Sequence, residues 1–137
     1  MTTVGIICEY DPLHRGHAHQ FAEIRRAFPD ASIVCLMSGC FTQRGLPALF
    51  SPADRAAAAL ENGADLVLEL PAAFALRDAE HFALGGVSIL ERLGFVTHLS
   101  FGVEDELSVL YPAAALLEAP DEAFQNRLRF FLGMGLS

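Results

Sequence analysis

The sequence predicts an α/β protein built on a doubly wound parallel sheet, and three observations lead there. Short apolar runs rich in β-branched residues alternate with longer stretches of helical periodicity. Capping and turn residues stand at the boundaries between them. The residues with chemistry to offer cluster just after the apolar runs, at the carboxyl ends of the expected strands, where open α/β sheets bind ligands.

Val4-Gly5-Ile6-Ile7-Cys8 reads as a first strand buried on both faces. Glu9 through Gly16 follows, with turn chemistry at Asp11-Pro12 and at Gly16. A helix is expected from about His17 to Phe28, with Phe21, Ile24 and Phe28 on one face and Pro29 as the stop. Ser32 to Met37 is the second strand, and a long loop runs from Ser38 to Phe50. Ser51-Pro52 starts the next helix, since Ser caps free N–H groups and Pro fits the first turn; Asn62-Gly63 ends it. Asp65 to Leu70 is the third strand, closed by Pro71. Asp78 caps a helix with Phe82, Ile89, Leu90 and Leu93 on one stripe, ending at Gly94, and Gly85-Gly86 within it implies close backbone packing. Phe95 to Phe101 is the fourth strand, ending in Gly102. Leu107, Leu110, Ala114 and Leu117 share a helical face that Pro112 must kink or restart, and Asp121 caps a last helix aligning Phe124, Leu128 and Phe131. Strands alternating with helices imply right-handed crossovers.

A chain of 137 residues, 53% hydrophobic and without low-complexity runs, has the size and composition of one folded domain, here residues 1–137. No apolar stretch approaches membrane-spanning length, so no membrane partner is expected. Met1-Thr2-Thr3 lacks the basic region of a signal peptide, and Cys8, Cys35 and Cys40 show no paired spacing, which together suggest a cytoplasmic protein. The net charge is −8, and the nine basic residues are all arginine. Nucleic-acid binding draws most of its affinity from neutralised phosphates, so this acidic, lysine-free chain is a poor holder of RNA by itself.

His14-Arg15-Gly16-His17 holds the most chemistry. Gly16 lets a phosphate approach the backbone, the helix that follows offers N–H groups and its positive dipole end, and two imidazoles can donate to charge developing on phosphorus. A four-residue pattern is weak alone and gains weight from its place between a buried strand and a helix start. His14, His17 and His19 do not share one helical face, so no metal site is expected there.

The run from Gly5 to His17 resembles the amino-terminal signature of the bacterial tRNA(Met) cytidine acetate ligase family, part of a nucleotidyltransferase superfamily marked by His-x-Gly-His. Met37-Ser38-Gly39, Phe41 and Gln43-Arg44-Gly45 through Pro47-Ala48 resemble its second signature, and Asn62 through Pro71 a third. Ala79-Glu80-His81-Phe82-Ala83 and Ser100-Phe101-Gly102 continue the match in the same order.

This resemblance implies a Rossmann-like nucleotidyltransferase fold and a two-step reaction. ATP and acetate form acetyl-adenylate and pyrophosphate, and the acetyl group passes to the amine of a wobble cytidine in tRNA(Met). By the same resemblance His14 and His17 are catalytic, stabilising the α-phosphate. Ile7, Cys8, Glu9, Tyr10, Asp11, Gly16, Gln20 and Gly102 hold ATP, and magnesium accompanies its phosphates. Ser38, Gly39, Gln43 and Arg44 face the small carboxylate or phosphate substrate, with Arg44 suited to a bidentate grip. The family usually has Asn at the positions of Asp11 and Cys40; a carboxylate at position 11 would repel triphosphate unless a metal or Arg15 intervened. The family also continues well past Ser137, so the resemblance implies a sheet lacking its last strand and a tRNA-binding part outside this chain. An open sheet edge of that kind would favour a homodimer.

Other readings stay open. The chain suits an adenylyltransferase for another phosphate or carboxylate, or a nucleotide-binding module without catalysis. Cys40 reads as a small residue by a pocket, and Cys8 and Cys35 as core. His81 reads as structural or catalytic. Glu9 and Glu69 close their strands and either hold a ribose hydroxyl or face solvent.

Overall fold

The computed structural model describes residues 1–103 and 106–135. Four parallel strands form one sheet in the order β3-β2-β1-β4. They are β1 (Thr3–Cys8), β2 (Ser32–Ser38), β3 (Leu66–Leu70) and β4 (His98–Leu99). Thr3 lies opposite Ser32 and Cys8 opposite Met37, so β1 and β2 pair along their whole shared length. Chain contacts group into two compact units, Met1–Gly102 and Val103–Ser137.

The period-two alternation of β1 and β2 divides the core between the two faces of the sheet. Val4, Ile6, Cys8, Ile33 and Cys35 pack with Phe21 and Ile24 of helix α1 (Arg15–Ala27) and Ala59 of α2 (Pro52–Glu61). On the other face Val34, Leu36 and Leu70 pack with Ala75 of α3 (Ala72–Ala75) and Leu90 of α4 (Ala79–Arg92). Helices on both faces make the sheet doubly wound, as the alternating sequence predicts. Each buried Ile or Leu side chain contributes about 1.5–3 kcal/mol to that arrangement.

The paired glycines of α4 have the packing role their sequence implies. A Cβ on Gly86 would lie 2.5 Å from Ile7 Cδ1, and one on Gly85 would lie 2.3 Å from Phe74 Cδ1. The helix therefore rests on β1 at backbone distance.

Four features differ most from the sequence expectation. Helix α1 begins at Arg15 rather than His17, because the His14 imidazole caps it by accepting the Gly16 N–H at 3.1 Å. The one-turn helix α3 follows Pro71 directly and supplies Phe74. The fourth strand shrinks from seven expected residues to His98–Leu99. There the Thr97 hydroxyl replaces a backbone carbonyl, accepting the Thr3 N–H at 3.0 Å, while Thr97 N donates to Thr3 O at 2.9 Å. Pro112 neither breaks nor restarts its helix, α5 (Leu107–Glu118). The hydrogen bond it removes belongs to Ser108, which is exposed and can turn to water.

In the second unit, α5 is joined by α6 (Glu122–Gly133), capped as expected by Asp121, whose carboxylate accepts the Phe124 N–H at 2.7 Å. Their apolar residues are largely in solvent; Leu117 is 68% and Phe130 64% exposed. The side chain of Leu107, assigned by sequence to the apolar face, and the terminal Leu136-Ser137 lie outside the described residues. Among the described residues no helix is long and apolar enough to cross a membrane.

Candidate functional site

A cleft of about 1090 Å³ opens above the carboxyl ends of β1 and β4, in the first unit. Its floor is the end of β1 and the loop after it, from Ile7 and Cys8 through Glu9, Tyr10 and Asp11. One wall is the start of α1, with His14, Gly16, His17 and Gln20. Ser100, Phe101 and Gly102 form a second wall, and Arg44, Leu46 and Leu49 a third. Every residue expected by resemblance to hold ATP or to act on its phosphate lines this cleft. Arg44 lines it too. Ser38, Gly39 and Gln43 do not.

The two histidines are held by the helix they start. His14 N–H donates to His17 Nδ1 at 3.2 Å, and Gly16 N–H donates to His14 Nδ1, which makes a reciprocal cap out of imidazoles. The rings stack with centroids 3.7 Å apart. With both Nδ1 atoms accepting, the ring proton of each neutral imidazole sits on Nε2, and among the described residues nothing accepts it. Burial, and then the neighbouring His14, hold the His17 pKa below its ordinary value, so its neutral form dominates at neutral pH. Gly16 suits this packing, since a Cβ there would stand 3.0 Å from the His14 ring and press it aside.

Tyr10 supports His17 from below. Its φ of 51° lies in the left-handed region, which a bulky residue enters only when its surroundings demand it. The ring is buried, packs 4.8 Å from the His17 ring, and meets Cys35 Sγ through its hydroxyl at 3.7 Å. Burial pushes the Tyr10 phenol and the Cys8 thiol far above their ordinary values, so both stay protonated and act as core. Across the cleft Gln20 Nε2 donates to Ser100 Oγ at 3.0 Å, joining α1 to the loop after β4.

Residues Cys40 to Ala48 form a small hairpin. Phe41 and Pro47 bridge antiparallel, Ala48 N–H donates to Cys40 O at 2.9 Å, and Gly45 takes the turn with φ of 76°. Arg44 stands exposed at the tip, and among the described residues no carboxylate pairs with it. Gln43 points elsewhere: its amide donates to Arg77 O at 3.0 Å. Ser38 is fully buried, and a Cβ on Gly39 would meet the Glu69 carboxylate, so both are committed to packing at the end of β2.

Asp11 is engaged within the loop. Its carboxylate accepts the Leu49 N–H at 2.7 Å and the Phe50 N–H at 3.0 Å, pinning the far end of the loop. These bonds hold its pKa below the usual carboxylate range. The Glu9 carboxylate accepts the Gln43 N–H and ties the hairpin to the same loop. His81 serves structure, with Asp78 capping α4 through His81 N–H at 2.9 Å and gripping the His81 ring at 2.8 Å. Among the described residues no group of three or more His, Cys, Asp or Glu is placed to hold a metal ion.

Sequence reasoning missed Arg55, 2% exposed, whose guanidinium bonds the carbonyls of Glu9, Gly39 and Phe50. The available signal was one arginine in an alanine-rich helix, four residues before Ala59 and on the same buried face.

The sequence profile of the HIGH Nucleotidyl Transferase family matches residues 1–137. The tRNA(Met) cytidine acetate ligase of Clostridium acetobutylicum is 41% identical over 138 residues, covering all of this chain and 34% of that protein. Its counterpart in Thermosipho melanesiensis is 41% identical over 139 residues, covering all of this chain and 32% of that protein. Thermotoga maritima TmcAL, crystallised with alpha-thio ATP, superposes with a TM-score of 0.85 at 38% identity, over all of this chain and 33% of that one. The chain thus spans about a third of the length of the curated relatives it matches.

Proposed function

The chain belongs to the HIGH nucleotidyl transferase family, and from that premise we propose that it binds ATP in the cleft above β1 and activates a small carboxylate, acetate, for transfer to the wobble cytidine of tRNA(Met). The observation that supports this most is the His14–His17 pair, two stacked imidazoles at a helix start whose Nδ1 atoms accept backbone N–H groups and whose Nε2 atoms have no partner among the described residues. An α-phosphate resting on the first turn of α1 meets backbone N–H groups, the helix dipole and these two donors together.

An acetate oxygen attacks the α-phosphorus, and the bond to the β,γ-pyrophosphate breaks. The charge that grows on the α-phosphoryl oxygens is met by His14 and His17, and no covalent enzyme intermediate is needed. The cytidine amine then attacks the acyl carbon, AMP departs, and the amine gives up a proton. Arg44, at the hairpin tip, pairs with the acetate carboxylate or with departing pyrophosphate. Ser38, Gly39 and Gln43 support that hairpin rather than touch substrate.

Magnesium travels with the phosphates in this reading. Of the carboxylates lining the cleft, Glu9 and Asp11 are bonded to backbone N–H groups and Glu23 is paired with Arg26, so they do not make a protein-held cation site. Grip on tRNA is assigned to other parts of the whole protein, consistent with the −8 charge here. The free cysteines suit a cytoplasmic setting. Self-association through the exposed β4 edge belongs to the same reading, and a monomer in light scattering at every concentration overturns that part.

The test is calorimetric titration with ATP and magnesium, repeated on His17→Ala, followed by acetate-dependent exchange of pyrophosphate into ATP. Saturable binding that weakens in the variant supports the site, and exchange that needs acetate supports the reaction. A folded wild-type sample that binds no ATP overturns both.

A further inference from the structure

A charge that is fully buried without a counter-ion is costly, on the order of several kcal/mol, and it persists where dipoles replace the water it lost. Arg55 is such a charge. It is 2% exposed, and among the described residues no carboxylate forms an ion pair with it. Its compensation comes from three main-chain carbonyls and one hydroxyl: Nη1 donates to Glu9 O at 2.6 Å and to Ser38 Oγ at 3.4 Å, Nε donates to Phe50 O at 3.2 Å, and Nη2 donates to Gly39 O.

These acceptors are not scattered. Glu9 directly follows β1 and lines the cleft, while Gly39 and Phe50 flank the Cys40–Ala48 hairpin on either side. The same segments are joined again from above, by Glu9 and Asp11 to the N–H groups of Gln43, Leu49 and Phe50. We propose that Arg55 is a positioning residue for the chemistry of the cleft: one planar guanidinium gathers both feet of the hairpin and the end of β1, and thereby sets where Arg44 stands relative to His14 and His17. The proposal rests on the cleft being the nucleotide site.

Planarity is what the role requires. Three carbonyls met by three different nitrogens, Nε, Nη1 and Nη2, suit the fixed fork of a guanidinium, and an ammonium keeps the charge without spanning them. The residual positive charge also favours an anion nearby, and it contributes to holding the Asp11 carboxyl down.

The experiment compares wild type with Arg55→Lys by amide hydrogen exchange and by titration with ATP and magnesium. In Arg55→Lys the amides of Gln43, Leu49 and Phe50 lose protection while those of Ile6 and Leu36 keep it, and ATP affinity falls about tenfold or more, the scale of a small misplacement. Retained protection at all three amides overturns the proposal, as does lost protection with unchanged ATP affinity. If the wild type binds no ATP, the nucleotide reading of the cleft fails and with it the link to chemistry, while the exchange data still decide whether Arg55 sets the hairpin. Should Arg55→Lys not fold, NMR of the wild-type guanidinium serves instead. Arrested rotation with separate Nη signals at Arg55 is expected, and one averaged Nη signal overturns the proposal.

Discussion

His14 and His17 lie face to face, their ring planes 21° from parallel, and each spends its Nδ1 on a backbone N–H of the turn that holds the other. Two cations in that arrangement would repel, and burial adds to the cost of charging His17. The pair is therefore built to act as neutral donors. Nitrogen-15 NMR should find both rings as the Nε2–H tautomer at pH 7.5 and should find His17 titrating below 6.5. A His17 titration above that value would mean the stack does not exist in solution.

The same shift has a stability consequence whose sign can be stated. The His17 pKa is lower folded than unfolded, so the unfolded chain binds more protons between the two values. Its contribution is complete above pH 6.5 and is lost as pH falls from there through the folded value. Urea unfolding across that window should show wild type losing stability on acidification, with His17→Gln losing less. Equal slopes would place the cause in another group.

Asp11 makes a separate, more acidic window. Its folded pKa lies below the ordinary 3.8 because its carboxylate accepts the Leu49 and Phe50 N–H groups. The loop is held above that ordinary value and released as pH falls through the depressed one. Leu49 and Phe50 amide shifts followed from about pH 6 to 2 should titrate together. In Asp11→Asn, where a single carbonyl oxygen remains to accept, they should not titrate and the chain should still fold. A titration that survives the substitution would assign the effect elsewhere.

Gly86→Ala weighs two opposed terms. Alanine gains about 1 kcal/mol of helix propensity over glycine, whereas overpacking typically costs about 1–3 kcal/mol. The new Cβ would meet Ile7 Cδ1 at 2.5 Å, Cγ1 at 2.9 Å and Cγ2 at 3.0 Å, so both branches of that side chain would have to move and not its tip alone. The clash should win, with a net loss of about 1–2 kcal/mol in denaturant unfolding. Stabilisation would show that Ile7 has room the structure does not display.

Gly102→Val is the converse case. Among the described residues nothing lies within 4 Å of a Cβ at Gly102, so the added bulk enters the open cleft. Stability should change by no more than about 0.5 kcal/mol, as for other unobstructed surface positions. ATP binding should fall sharply, because the side chain occupies the space assigned to nucleotide. Unchanged ATP affinity would move the nucleotide away from this wall.

What the sequence made legible follows from how many residues a feature uses. The central strands β1 and β2 and the helices around Phe21 and Leu90 are written in repeated apolar positions, so one misread residue does not hide them. The cleft was legible because motif residues sat at strand ends, which a parallel sheet brings to one edge. Features resting on one unusual side chain were not. Imidazole is an uncommon helix cap, so α1 was read two residues late, and a threonine hydroxyl standing in for a carbonyl erased most of β4. Arg55 was silent because charge in a helix ordinarily signals a solvated face. Ser38 and Gln43 stood beside Arg44 in a motif, yet a buried strand end and a bond to Arg77 turn them from the cleft.

Arg44 is the sharpest test of how the hairpin takes part. It stands at the tip, exposed and without a carboxylate partner among the described residues, on a turn whose glycine has the φ of 76° that tight reversal requires. Removing a side chain so placed costs the fold little, so Arg44→Ala should match wild type in unfolding within about 0.5 kcal/mol. Its loss should be felt only when an anion arrives. A charge-assisted bond is worth about 1.5–3 kcal/mol, which corresponds to roughly tenfold to a hundredfold in acetate-dependent pyrophosphate exchange. Lysine should restore little, because an ammonium does not reproduce the paired donors that a carboxylate or phosphate accepts. If the deficit in Arg44→Ala is overcome by raising acetate, the arginine binds the carboxylate. If it persists at saturating acetate and follows ATP instead, it serves the phosphates. Full activity in Arg44→Ala would remove the hairpin tip from the reaction and leave His14 and His17 to act without it.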